Sequence, residues 1–317
     1  MREGIIQVGR TFYRAHGLGN DYLVLQAVGS GGGATGDAGK GGRQSHPPQA
    51  FPLTTDAITG ICRRGEGVGS DGIVVLLDRA PGDGVFPLRM FNPDGSEFER
   101  SGNGLRVVAS YLAREGLVGS SPFRVRSGGE EIPMAVHGTT DGGVHDVSVE
   151  LGPARAGDGA LPLQPGHLDE EGRAVHPEVG PVPFTPVWVG NPHVVVFPED
   201  EDLERTAVLG PFLTAHPAFP QGVNVQLARV TGPGRLRIGI WERGVGSTPA
   251  SGTSSCAATV AAVHTGRLAP GRVEVAMVGG TLEVTVSPDL EVALRGPVAE
   301  VATGELTPGF VAGLGKA

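Results

Sequence analysis

Apolar residues in this chain fall into short runs rather than long stripes. Tyr22–Val28, Gly72–Leu77, Val144–Leu151, Val194–Phe197, Val223–Val230, Leu236–Trp241, Val273–Val278, Leu282–Val286 and Glu291–Leu294 are rich in Val, Leu and Ile and are set off by Gly, Pro or Asp. Runs of that length and composition predict strands. Helical patterning is confined to Gly102–Arg114, Gly252–His264 and Thr54–Arg63, which lack an internal Pro and are followed closely by Gly, a helix stop. The expectation is a strand-rich α+β fold.

The order of these segments repeats. Gly19-Asn20-Asp21 precedes the run YLVL, and Gly190-Asn191-Pro192 precedes HVVVF. Ser101-Gly102-Asn103 opens one helical segment and Ser251-Gly252-Thr253 opens the other, each with a Gly fifteen positions on, at Gly116 and Gly266. Asn92 stands nine residues before Ser101, and Glu242 nine before Ser251. From Asn20 to Ser101 is 81 residues and from Asn191 to Ser251 is 60; the excess matches a Gly-rich insertion at 29–50. Three spacings in register predict a duplicated chain of two similarly folded halves.

Gly and Pro, with 53 and 26 copies in 317 residues, bring the chain close to low-complexity composition. An apolar content of 39% and this length nevertheless support a large core and two domains. Segment 29–50 has few large apolar side chains and is expected to be a flexible surface insertion; 153–183, rich in Gly and Pro, reads as an irregular connection near a domain boundary. With 25 basic and 34 acidic residues the net charge is −9, which argues against nucleic acid or an anionic membrane as partner. No signal peptide or membrane span is evident. Two cysteines, Cys62 and Cys256, point to a reducing cytoplasm and read as packed structural thiols, and no Cys or His cluster suggests a metal site.

A helix opening at Ser-Gly-Asn or Ser-Gly-Thr gathers free N–H groups and the positive end of its dipole, suiting a carboxylate. Two halves related by a pseudo-twofold axis would aim both termini at one cleft, with Ser101 and Ser251 facing each other. Either serine also suits the ordinary work of an N-cap. Gly67-Val68-Gly69-Ser70-Asp71-Gly72 precedes a strand rather than opening a helix, so it fails the context of a dinucleotide loop. His46, His137 and His145 read as surface residues.

The segments HGLGNDYLVL, RRGEGVGSDGIVVL, MFNPDGSEFERSGNGLR, WVGNPHVVVF, GVNVQLARV and WERGVGSTPASGTSSCAA, in that order, resemble the diaminopimelate epimerases. The resemblance implies two pseudo-symmetric domains, each a barrel-like sheet around a central helix. It places the N-terminal domain at 1–152, rejoined by a last strand within 298–317, and the C-terminal domain at 153–297. It further implies a cytoplasmic homodimer, free of cofactor and metal, that inverts the α-carbon of a small amino acid between the LL and meso forms of diaminopimelate for lysine and peptidoglycan synthesis.

In that family two cysteines act as base and acid on opposite faces of the α-carbon; the matching positions here are Ser101 and Ser251. A thiol has a reference pKa of about 8.5, which a helix N-terminus lowers. A hydroxyl is a far weaker acid, and about 0.3–2 kcal/mol of dipole stabilisation moves it by one or two pK units at most. A serine therefore needs a neighbouring general base, and the matches His193 and Glu242 are the candidates. Substrate binding maps to Asn20, Asn92, Gly102, Asn103, Asn191, Asn224, Glu242, Arg243, Gly252 and Thr253: Asn amides both donate and accept, glycines admit the ligand to backbone N–H groups, and Arg243 suits a distal carboxylate. Gly72 stands where the family sometimes has a substrate-contacting Gln. The alternatives are a catalytically silent amino-acid binder and a related isomerase or dehydratase on another substrate.

Overall fold

The computed structural model describes residues 5–29, 50–200 and 202–314; the insertion expected at 29–50 lies almost wholly outside the described residues, as does His46. The first half runs β1 (Gln7–Gly17), β2 (Asn20–Ala27), β3 (Phe51–Pro52), α1 (Thr55–Cys62), β4 (Ile73–Leu76), β5 (Val85–Phe91), β6 (Glu97–Phe98), α2 (Gly102–Arg114), β7 (Phe123–Ser127), β8 (Glu130–Thr139) and β9 (Val144–Pro153). The second half continues with β10 (Arg155–Ala156), the ribbon β11 (Ala174–His176) and β12 (Gly180–Val182), β13 (Thr185–Trp188), β14 (Pro192–Val196), α3 (Thr206–Thr214), β15 (Asn224–Gly232), β16 (Arg235–Glu242) and β17 (Gly246–Ser247). It ends with α4 (Gly252–His264), β18 (Gly271–Met277), β19 (Gly280–Val286), β20 (Glu291–Glu305) and α5 (Pro308–Gly313).

The pairing of the two halves coincides step for step. β2 runs parallel to β4 as β14 does to β15, and β4–β5 and β15–β16 are antiparallel. Past the central helix, β5 pairs in parallel with β7 and β16 with β18, and each half closes in an antiparallel meander, β7–β8–β9 and β18–β19–β20. The fold is a strand-rich α+β duplication.

Each half wraps its sheet around one helix, and that arrangement explains the helix sequences. In α2 the residues from Gly102 to Leu112 are all buried, and in α4 those from Ser254 to Ala262, so these helices are apolar or small nearly all round. α1 and α3 cover the outer faces: Ile58 and Ile61 pack with Leu23, Leu25 and Ile73, and Leu209 and Leu213 pack with Val194 and Val225. β2 and β14 are thus buried on both faces and read as unbroken apolar runs.

β20 joins the halves. Val292–Arg295 pair with β19, Glu291–Ala299 with β9, and Ala299–Glu305 with β1. The run at Glu291–Leu294 is therefore the start of a fifteen-residue strand. On it, Leu294 is fully buried, and a Cβ placed on either Gly102 or Gly252 would come 2.9 Å from its Cδ2. One side chain marks the point where the two helix N-termini meet.

Several sequence expectations change. β1, β5, β7 and β8 are strands whose mixed polar and apolar residues hid them, and α3 forms around Pro211, tolerated in a nine-residue helix. Segment 153–183 holds β10, a 3-10 turn and the β11–β12 ribbon rather than wholly irregular chain. His145 is buried, because it shares the inward face of β9 with Val147, Val149 and Leu151. His137 is exposed. Among the described residues no helix is long and apolar enough to cross a membrane.

Candidate active site

Ser101 and Ser251 are N-caps with extended backbone, at φ −139° and −154°. Ser101 Oγ accepts from Gly104 N at 3.1 Å and Ser251 Oγ from Ser254 N at 3.3 Å, so each caps the third amide of its helix and leaves the first two, at Gly102–Asn103 and Gly252–Thr253, as donors for a ligand. Both serines and all four of these residues line one cavity of about 170 Å³. It adjoins an open cleft of about 1090 Å³ lined by Asn92, Asn191, Asn224, Glu242 and Arg243.

Glu242, at the end of β16, lines both spaces. Burial raises its carboxyl above the usual range, while the Ser251 hydroxyl beside it lowers it and Asp71 adds to the rise. A carboxylate held less acidic than normal, next to a hydroxyl, is suited to taking that hydroxyl's proton. His193 is placed differently. It is fully buried on β14, its Nε2 lies 2.7 Å from Asn191 Oδ1 and its Nδ1 3.2 Å from Gln226, and it hydrogen-bonds neither serine. Burial pushes it down to about 3, so the ring is neutral and has one N–H. That one N–H serves either Asn191 Oδ1 or Gln226 Oε1, and Gln226 Nε2 donates to Ser254 Oγ at 3.0 Å. His193 reaches Ser251 only through Gln226 and the first turn of α4, and fixes Asn191 instead.

On the other side the loop Gly19-Asn20-Asp21 is locked by charge. Asp21 pairs with Arg14 and Arg64 at 2.6 Å each, and Arg64 also holds Asp71. Asp71 Oδ2 accepts from Asn20 Nδ2 at 3.0 Å. Asn20 Oδ1 accepts from Asn103 Nδ2 at 2.8 Å, and Asn103 Oδ1 from Arg106 at 3.0 Å. Arg106 is 1% exposed, lines the smaller cavity, and among the described residues bonds otherwise to the carbonyls of Gly102 and Pro297. Its guanidinium fits because Gly17 and Gly296 flank it; a Cβ there would lie 2.9 and 2.7 Å from its nitrogens. Among the described residues no carboxylate pairs directly with this cation, although Asp146 acts on it from a distance, and it adds a positive field to the N-terminus of α2.

The other expected residues divide between frame and cleft. Asn224 accepts from Arg243 N at 3.0 Å and donates to Pro192 O at 3.2 Å, which ties the Glu242-Arg243 turn to β14. Arg243 also donates to Gln221 O. Asn92 binds Ser96 Oγ at 2.9 Å across its turn. Cys256 is fully buried inside α4, its thiol pushed up to about 12 by burial.

A family model described as diaminopimelate epimerase matches residues 12–156 and 185–301. The chain belongs to the diaminopimelate epimerase family. It is 36% identical to Diaminopimelate epimerase 2 of Nostoc sp. over 93% of this chain and 95% of that one, and 37% identical to diaminopimelate epimerase of Desulforudis audaxviator over 93% and 98%. In structure it resembles a hydroxyproline epimerase from Agrobacterium vitis, at a TM-score of 0.61 and 15% identity over 98% of this chain and 96% of that one. It also resembles a phenazine biosynthesis protein of the PhzF family from Bacillus anthracis, at 0.56 and 15% over 96% and 100%. Those two likenesses establish the two-domain epimerase fold.

Two residues at the family site escaped sequence reasoning. Arg106 sits in an otherwise apolar helical pattern, and only the single charge inside a buried helix could have flagged it. Tyr22 stands two residues after Asn20, as His193 stands two after Asn191, so the repeat register itself points to it. Its hydroxyl accepts from Ser101 Oγ at 3.2 Å.

Proposed function

We propose that this protein is a cofactor-independent isomerase that inverts the α-carbon of diaminopimelate between its LL and meso forms, with Ser101 and Ser251 as the proton-transferring groups. The observation that carries this reading is the convergence of two serine-capped helix N-termini on one cavity, one of the serines beside a carboxylate whose acidity burial has weakened. The substrate's α-carboxylate binds the free amides at Gly102–Asn103 and Gly252–Thr253, where the helix dipoles and Arg106 favour negative charge. Ser251 Oγ takes the α-proton as Glu242 takes the hydroxyl proton, and the electron pair left on the α-carbon spreads into the carboxylate. Ser101 then gives its proton to the opposite face, which inverts the centre. Asn191, Asn224 and Arg243 line the larger cleft, where the distal amino acid group of diaminopimelate fits. The family relationship supports a cytoplasmic homodimer acting on a small amino acid, and the net charge of −9 argues against a part for nucleic acid or an anionic membrane.

The test is incubation with LL-diaminopimelate in deuterated water, following the α-proton by NMR. Exchange accompanied by inversion is the expected result. Saturable binding without exchange would instead mark a silent binder.

A further inference from the structure

Two serines in one cleft need two acid–base partners, and Glu242 lies beside only one of them. Asn92 holds the pseudo-symmetric place of Glu242, nine residues before its serine, but it is not titratable and is engaged by Ser96. The hydroxyl of Ser101 has two partners, the capped amide of Gly104 and the phenol of Tyr22 at 3.2 Å. We infer that Tyr22 is the proton-relay partner of Ser101, a positioning residue that acts through the serine and makes the acid face of the cleft differ chemically from the base face at Ser251 and Glu242. This inference rests on the epimerase reading above.

The contact is built. A Cβ on Gly72 would lie 2.5 Å from Tyr22 Cε1 and 2.9 Å from Phe91 O, and one on Gly104 would lie 3.3 Å from the same ring carbon. The ring occupies the room those two glycines leave, at the spot where a longer side chain at position 72 would otherwise stand. Although 6% exposed, Tyr22 lines both cavities, so its proton has a route to water. Burial pushes the phenol up to about 12; it is neutral at physiological pH and serves first as an acid.

The proton balance is explicit. On one face the Cα–H bond breaks, its proton passes to Ser251, and the Ser251 proton passes to Glu242. On the other, Ser101 gives its proton to the α-carbon as the electron pair forms the new C–H bond, and the Ser101 oxygen takes the proton of Tyr22. Turnover moves one proton from Tyr22 to Glu242, leaving a phenolate that water in the cleft reprotonates or that acts as base on substrate of the opposite configuration. Both hydroxyls can donate or accept, so rotation alone reverses the relay.

The experiment is Tyr22→Phe with LL-diaminopimelate in deuterated water, scoring α-proton loss by NMR and inversion by chiral chromatography. Wild-type enzyme should exchange and invert at similar rates. In the variant, inversion should fall about 100-fold, within the range for a lost general acid, while exchange with retention continues from the Ser251 face. Ser101→Ala, which keeps the phenol, should give the same split, and combining the two should do no further harm. A loss of packing would lower both rates together, and an unchanged exchange-to-inversion ratio overturns the relay. Wild-type protein without exchange overturns the epimerase reading itself. The contact is then judged by titrating the thiolate of Ser101→Cys with and without Tyr22→Phe. A threefold or greater loss of thiolate equilibrium without the phenol supports the partnership, and no change overturns it.

Discussion

Leu294 is shared by Gly102 and Gly252, and its packing makes a quantitative test of the duplicated core. A Cβ on either glycine would come 2.9 Å from Leu294 Cδ2. Leu294 has no exposed surface and cannot retreat from one helix without approaching the other. Gly102→Ala or Gly252→Ala alone should therefore cost about 1–3 kcal/mol of overpacking, less about 0.5–1 kcal/mol gained by replacing Gly in a helix. Leu294→Ala alone should cost about 3–5 kcal/mol, the transfer and cavity terms of a buried leucine. In the Leu294→Ala background the overpacking vanishes, so each Gly→Ala change should turn from destabilising to stabilising by roughly 0.5–1 kcal/mol. The coupling is thus about 1–3 kcal/mol for each glycine. Urea unfolding followed by circular dichroism measures every corner of the cycle. Additivity within about 0.5 kcal/mol would refute the claim that one side chain separates the two helix termini.

Glu242→Gln should raise the melting temperature at pH 7.5 and abolish the gain below pH 4, while α-proton exchange falls about 10²- to 10⁴-fold. The folded carboxyl is raised, so its stability contribution is present at low pH and lost as pH rises through the folded value; a lower melting temperature at neutral pH would contradict this. His193 has the opposite sense. Its folded pKa of about 3 against an ordinary value near 6.5 means that stability is full above pH 6.5 and drains as pH falls toward 3, by about 2 kcal/mol at pH 5. Urea midpoints at pH 7 and 5 should show a shallower slope in His193→Gln than in the wild type. Finally, Ser101→Cys combined with Ser251→Cys should raise exchange of diaminopimelate at pH 8 at least about tenfold, because helix N-termini bring a thiol toward ionisation and a hydroxyl hardly at all; an inert double variant would remove diaminopimelate as the substrate.

The duplication was legible because its landmarks are short-range. Both central helices begin at the expected residues, since Ser-Gly at each start and Gly beyond each end are local signals with local causes. The strand β8 and the facing of β9 were harder, because they are set by neighbours far along the chain. His145 turns inward only once β9 has paired with β8 and β20. At the site, residue types were readable and their division of labour was not. Asn20 and Asn224 spend their amides on Asp71, Asn103, Pro192 and Arg243. His193 lies at the motif position that suggested a partner for a serine, yet its hydrogen bonds run to Asn191 and Gln226. Such choices depend on side-chain partners from three or four separate strands, and no spacing encodes them.

β20 also has a consequence for how such a chain diverges. Because one continuous strand borders β19, β9 and β1, cutting the chain between the halves would leave each copy with a bare sheet edge prone to stray pairing. The copies are bound together for good, and novelty can enter only as unequal substitution at matched places. Tyr22 against His193, Asn92 against Glu242, and Arg106 against Cys256 are three such places, each polar or charged in a different way on its two sides. Inverting a tetrahedral centre needs two opposed faces, but it does not need them to be alike. The matched halves give this protein its geometry, and the strand that joins them holds together two faces that carry different acid–base groups.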